Sequence, residues 1–290
     1  MKMVFKNGHG NYRMVWKVIF ALSLYFAVSL ISIIIAGLIY QNVRIFSFSS
    51  MINDTMDANW GHALCSLISI LLLLVVYCIL SRKNAETWSN LGFNGYKPAR
   101  MALSGFLCGV VFCAAYIIPL CIANNLTIEF TQVSVRAIDA LLSGLVIYAG
   151  ISFTEEVTFR GFIQSSIKNE YWSISISALI FAAMHMVNSS YTPTSLIYLA
   201  IGGFMLGLMR VTTKGIWFPL GFHLAWNWTE ISIFGLGSEN PSKRWLYTTV
   251  TSETIWTGKD GSSGLAIIMV LLLCVAILFY IKLKQKKQAL

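Results

Sequence analysis

The sequence predicts an all-α fold: a polytopic membrane helical bundle of about eight transmembrane helices with a polar site inside the bilayer. Three observations carry this. The 290 residues are 57% apolar and only 11% charged, far from soluble composition. Apolar runs of membrane-crossing length recur along the whole chain. Two of those runs are interrupted by clustered ionisable residues, each costing roughly 2.5–3.5 kcal/mol in lipid on insertion scales.

Taken in order, the spans are predicted near 18–40, 62–81, 101–123, 137–165, 172–188, 194–210, 215–235 and 264–281. The first follows a basic stretch as a signal peptide would, but its length and the lack of a small-residue cleavage site predict an uncleaved first span. The third and seventh contain Pro119 and Pro219, which predict kinks, the second of them one turn before His223. The fourth holds Glu155, Glu156 and Arg160, and the seventh holds His223, Asn227 and Glu230. Gly203 and Gly207 in the sixth form a GxxxG pair, predicted to let helices pack closely within the bundle, with dimerisation as the alternative. The longest connection, about Gly235 to Ser263, is expected outside the cell. Residues 1–290 read as a single integral membrane domain without internal repeats, and residues 140–235 as its motif-bearing core.

Twenty-one Lys and Arg against twelve Asp and Glu give a net charge of +9. The basic residues lie between apolar runs rather than on one face, so nucleic acid is excluded as a partner. With both termini cytoplasmic, the outer segments keep only Arg44, Arg136, Lys243, Arg244 and Lys259 of these basic residues. The positive-inside rule therefore predicts an even number of spans, in a multi-pass protein of the plasma membrane. Six cysteines fall within or beside apolar runs without metal-site spacing and read as reduced packing residues. The lipid bilayer and a peptide or membrane-protein substrate are the expected partners, and the oligomeric state is left open.

The polar residues fall into three short motifs: Glu155-Glu156 to Arg160, Phe181 to His185, and His223 to Asn227. Positions four apart share a helix face while neighbours diverge by about 100°. Glu156 and Arg160 can thus pair and neutralise each other, leaving Glu155 aimed elsewhere. His223 and Asn227 share a face as well. Counting about 1.5 Å per residue from the cytoplasmic boundary puts Glu155, His185, His223 and Asn227 roughly 12–20 Å deep. Three helices therefore bring polar groups to one layer near mid-membrane.

That layer has the parts for peptide hydrolysis by activated water. Glu155 is the expected general base, with His185 holding the water. His223 and Asn227 are the expected oxyanion donors, and Glu156 and Arg160 the supporting pair. No serine or cysteine nucleophile is required. A divalent metal such as zinc on Glu155, His185 and His223 is an alternative ligand reading, though HExxH spacing is absent. Phe181 reads as packing, and Glu230 as interfacial.

These motifs resemble those of the CAAX protease and bacteriocin-processing (CPBP, or Abi) family of intramembrane endopeptidases, which includes the type II CAAX prenyl endopeptidases. The family pattern, EExxxR, FxxxH and HxxxN or HxxxD, is met in order and without departure. The resemblance implies a cytosol-facing site in which Glu155 and His185 activate water and His223 with Asn227 forms the oxyanion hole. It leaves metal dependence open. It further implies bacteriocin or peptide-pheromone processing or self-immunity as the biological setting. The competing reading is a non-proteolytic membrane immunity or regulatory protein of the same fold. A proton-coupled transporter ranks third, because no inverted repeat accompanies the intramembrane Glu and His.

Overall fold

The computed structural model describes residues 14–40, 59–83, 91–130, 135–186, 193–236, 246–259, 261 and 264–288. Arg44, Lys243 and Arg244, and the stretch 237–245 of the longest predicted connection, lie outside the described residues. Eight helices follow one another: α1 Met14–Tyr40, α2 Asn59–Lys83, α3 Pro98–Ile122, α4 Val135–Glu155, α5 Glu170–His185, α6 Pro193–Thr213, α7 Trp217–Asn227 and α8 Leu265–Gln288. Among the described residues, six segments are long and apolar enough to cross a membrane. The two that fall short, α5 and α7, carry His185 and His223.

Local chemistry sets the helix ends. Pro98 starts α3, where its missing N–H is one the first turn leaves unused anyway. Asn169 caps α5, its Oδ1 accepting from the Trp172 N–H at 3.1 Å, and Glu170 follows in the first turn, where the helix dipole favours a carboxylate. Pro219 does not kink the seventh span as the sequence predicts. Helix α7 begins only at Trp217, so Pro219 sits in a first turn that has no i−4 carbonyl bond to lose.

Close backbone contact organises the bundle, because lipid supplies no hydrophobic force between helices. Helix α7 lies along α3, α4 along α2, α5 along α6, and α6 along α8. A Cβ on Gly105 or Gly221 would land on the carbonyl oxygen of Phe218 or Ala102, so α3 and α7 touch backbone to backbone. The buried core runs between these helices through Phe112, Tyr116, Phe159, Phe181, Met205 and Phe222.

Two features escape a purely helical expectation. Two connections between helices contribute a two-stranded antiparallel sheet, β1 Leu126–Phe130 with β2 Leu246–Val250, in which Ile128 faces Thr248. Thr248 donates its hydroxyl to the Phe234 carbonyl, tying this sheet to the end of the seventh span. In addition, α4 and α7 do not stay α-helical. They widen into π-helical stretches at Glu156–Ile163 and Trp228–Ile233, the kind of local widening that recurs at functional sites.

Candidate active site

Both π-helical stretches abut the polar motifs. Glu155 closes α4 and Glu156 opens the first π stretch, while Asn227 closes α7 and Trp228 opens the second. The wide turn needs support from outside its own ladder, and neighbouring helices give it. Arg160 Nη2 donates to the Gly203 carbonyl at 3.2 Å, and Gln164 Nε2 to the Gly207 carbonyl at 3.1 Å. Ser177 from α5 donates its hydroxyl to the Phe159 carbonyl at 2.8 Å. The GxxxG pair is therefore used inside the bundle. A Cβ at Gly203 would stand 3.1 Å from the Ala178 Cα, and one at Gly207 3.1 Å from Gln164 Oε1.

The centre of the site is a charge network with almost no solvent exposure. Arg160 Nη1 donates to Glu156 Oε1 at 2.9 Å, and both side chains are fully buried. The same Oε1 receives His223 Nδ1 at 2.9 Å. A carboxylate paired with a guanidinium is an acceptor only, so Nδ1 of His223 is the donor. That bond turns Nε2 of His223 toward Glu155, 3.7 Å from its Oε2. Groups at this separation can share a single water touching each at about 2.8 Å. Glu155 and His223 retain 7% and 5% exposure, enough to keep them at the edge of the network rather than sealed within it.

His185 approaches from the end of α5. Its Nδ1 bonds the Phe181 carbonyl at 2.8 Å. Since a carbonyl only accepts, Nδ1 carries the proton and Nε2 is the basic nitrogen. Phe181 does more than pack. Its ring lies 4.6 Å from the His185 ring and 6.1 Å from that of His223, and the Arg160 guanidinium sits 4.5 Å above its face. One aromatic ring thus packs against both imidazoles and under the guanidinium face. Asn227 is half-buried, one turn after His223.

Sequence reasoning missed two further neighbours. Tyr25 of α1 packs against Phe159, with ring centroids 6.2 Å apart, and lies within electrostatic reach of Glu155. It also lines a cavity of about 270 Å³ between α1, α2 and α4, together with Ser29, Ser66, Ile147 and Thr154. The hydroxyls of Ser29, Ser66 and Thr154 are spent on the carbonyls of Tyr25, Ile147 and Gly150, so the lining is effectively apolar. Glu230, expected at an interface, is half-buried and accepts from Trp226 Nε1 at 2.6 Å. No periodicity in the sequence marks either residue.

Among the described residues no three His, Cys, Asp or Glu side chains come together to hold an ion. The Glu155, His185 and His223 ligand alternative finds no support in this arrangement.

Fold and site together define the class: a multi-pass helical membrane protein with a buried carboxylate, guanidinium and imidazole network at two interrupted helices. Residues 137–229, which contain all three motifs, match the family model described as Type II CAAX prenyl endopeptidase Rce1-like. The matched stretch, about a third of the chain, is similar to that family of CAAX-type proteases. No curated protein and no solved structure gives a significant match to the chain.

Proposed function

We propose that this chain is an intramembrane endopeptidase that hydrolyses a peptide bond in a membrane-associated peptide or protein, with both termini in the cytoplasm. The observation that carries the proposal is the placement of His223 between the two carboxylates, bonded to Glu156 at 2.9 Å and 3.7 Å from Glu155. Glu155 takes the proton of an attacking water, and His185 Nε2 accepts the other water hydrogen and orients it. The water oxygen bonds to the peptide carbon. The carbonyl oxygen becomes an oxyanion that accepts from His223 Nε2–H and the Asn227 amide. Glu155 then passes its proton to the leaving amine as the C–N bond breaks.

This division uses both ring N–H groups of His223, one on Glu156 and the other facing Glu155 and the reaction. Glu156 and Arg160 do not touch substrate but hold His223. The apolar cavity beside Thr154 and Tyr25 supports a substrate whose apolar part stays in the membrane. In the cell we assign the activity to bacteriocin or peptide-pheromone processing or self-immunity. The test compares peptides from membranes expressing wild type, Glu155→Ala or His223→Ala at equal protein level. A cleavage lost in both variants is expected. A phenotype that persists in both without any lost cleavage overturns the proposal in favour of a non-proteolytic immunity protein.

A further inference from the structure

Glu230 is a half-buried carboxylate that the hydrolytic scheme does not use, and an ionisable group packed inside the bundle demands a reason. It lies in the second π-helical stretch, three residues beyond Asn227. Its Oε2 accepts from Trp226 Nε1 at 2.6 Å, so the Trp226–Glu230 bond brackets Asn227 and spans the change from α to π winding. Trp226 is fixed on every side. Its carbonyl receives Cys113 Sγ from α3 at 3.5 Å, and its ring stands 5.0 Å from Phe112 and 6.3 Å from Phe222. From α6, Gly202 approaches so closely that a Cβ there would be 2.9 Å from the indole. The fully buried Tyr116 lies within electrostatic reach of the same carboxylate.

We infer that Glu230 is a positioning residue: through its bond to Trp226 it sets the winding of the helix at residue 227 and so the placement of the Asn227 amide. The inference rests on the proposed role of Asn227 in the reaction. An α-helix continued past Asn227 would turn each later residue by about 100°, whereas a π turn advances each by less. A tie across the junction therefore fixes where the regular helix carrying His223 and Asn227 ends, and with it the seat of the Asn227 amide. A carboxylate suits the task because a charged acceptor makes a stronger bond to an indole N–H than a neutral one does.

The experiment measures kcat and KM for cleavage in Glu230→Gln, Glu230→Leu, Trp226→Phe and the double variant Trp226→Phe/Glu230→Leu. Glu230→Gln keeps an acceptor and should stay within threefold of wild type. Glu230→Leu and Trp226→Phe should each lower kcat at least tenfold with KM little changed, and the double variant should be no worse than either. A second readout does not depend on cleavage. In an Asn227→Cys background, the alkylation rate of residue 227, mapped by mass spectrometry, should change at least threefold with Glu230→Leu and hold with Glu230→Gln. Unchanged alkylation, additive losses, or Glu230→Gln as impaired as Glu230→Leu overturns the inference. A wild type without cleavage sinks the proposed function instead, and the alkylation rates then decide the inference alone.

Discussion

His223 and Glu156, 67 residues apart in sequence, meet through a hydrogen bond of 2.9 Å inside the bundle. The bond couples the seventh span to the fourth. It makes the orientation of the His223 ring depend on a carboxylate that is itself held by Arg160, so a chain of three side chains aims one imidazole nitrogen at Glu155.

Removal of the base should abolish chemistry while leaving the fold. Glu155→Gln takes away a partly accessible carboxylate that lies outside hydrogen-bonding distance of His223, at 3.7 Å. Cleavage should fall by about 10²–10⁴-fold, with protein level and melting temperature close to wild type. Measured turnover near wild type would remove Glu155 from the mechanism.

Arg160 should behave differently, as a stability residue. Arg160→Met strands a fully buried Glu156 and should cost about 3–5 kcal/mol in detergent unfolding. Arg160→Lys should rescue little, because one ammonium on a flexible stem cannot reproduce the fork that reaches both Glu156 and the Gly203 carbonyl. Adding Glu156→Gln to Arg160→Met should recover part of the loss by removing the unpaired charge.

His223→Gln should separate from both. Arg160 still neutralises Glu156, so unfolding should shift by less than in Arg160→Met, whereas kcat should drop by about 10²–10³-fold through loss of an oxyanion donor. Equal losses of stability in the two variants would contradict this ordering.

Gly203→Ala tests the use of the GxxxG pair within the bundle. The new Cβ meets the Ala178 backbone at 3.1 Å and the Phe181 ring at 3.2 Å, and backbone cannot swing aside. A cost of about 1–3 kcal/mol in unfolding is expected, with the oligomeric state measured by light scattering unchanged. A change of oligomeric state without loss of stability would reassign the face to an intermolecular contact.

Chelation offers a further check on the donor set. Because the described residues bring no three metal-ligating side chains together, cleavage should persist after exhaustive treatment with a chelator. Loss of activity that zinc restores would show that the site rearranges to bind an ion.

Much of this was legible in the sequence because membranes restrict what a chain can do. Runs of about 20 apolar residues admit few structures but spanning helices, and each of the eight predicted runs overlaps one of the helices α1 to α8, of which six, among the described residues, lie in segments long and apolar enough to cross. The Glu156–Arg160 pair was legible too, since residues four apart remain neighbours in either an α or a π turn. The contact of His223 with Glu156 was not, because no sequence rule relates faces of helices that pack only in three dimensions. Nor was Glu230, whose partner Trp226 looks like any other interfacial tryptophan until α3 and α6 close around it.

The sequence by itself determined the membrane-spanning helices and the identity of the polar residues, because hydropathy and helix periodicity are local properties of the chain. Only the tertiary structure decided which nitrogen of His223 faces which carboxylate, that Phe181 packs against two imidazoles and Arg160, and that α4 and α7 widen where the motifs lie. These depend on the packing of helices against one another. In a lipid setting, that packing is set by backbone approach at glycines and by buried hydrogen bonds that a linear pattern does not record.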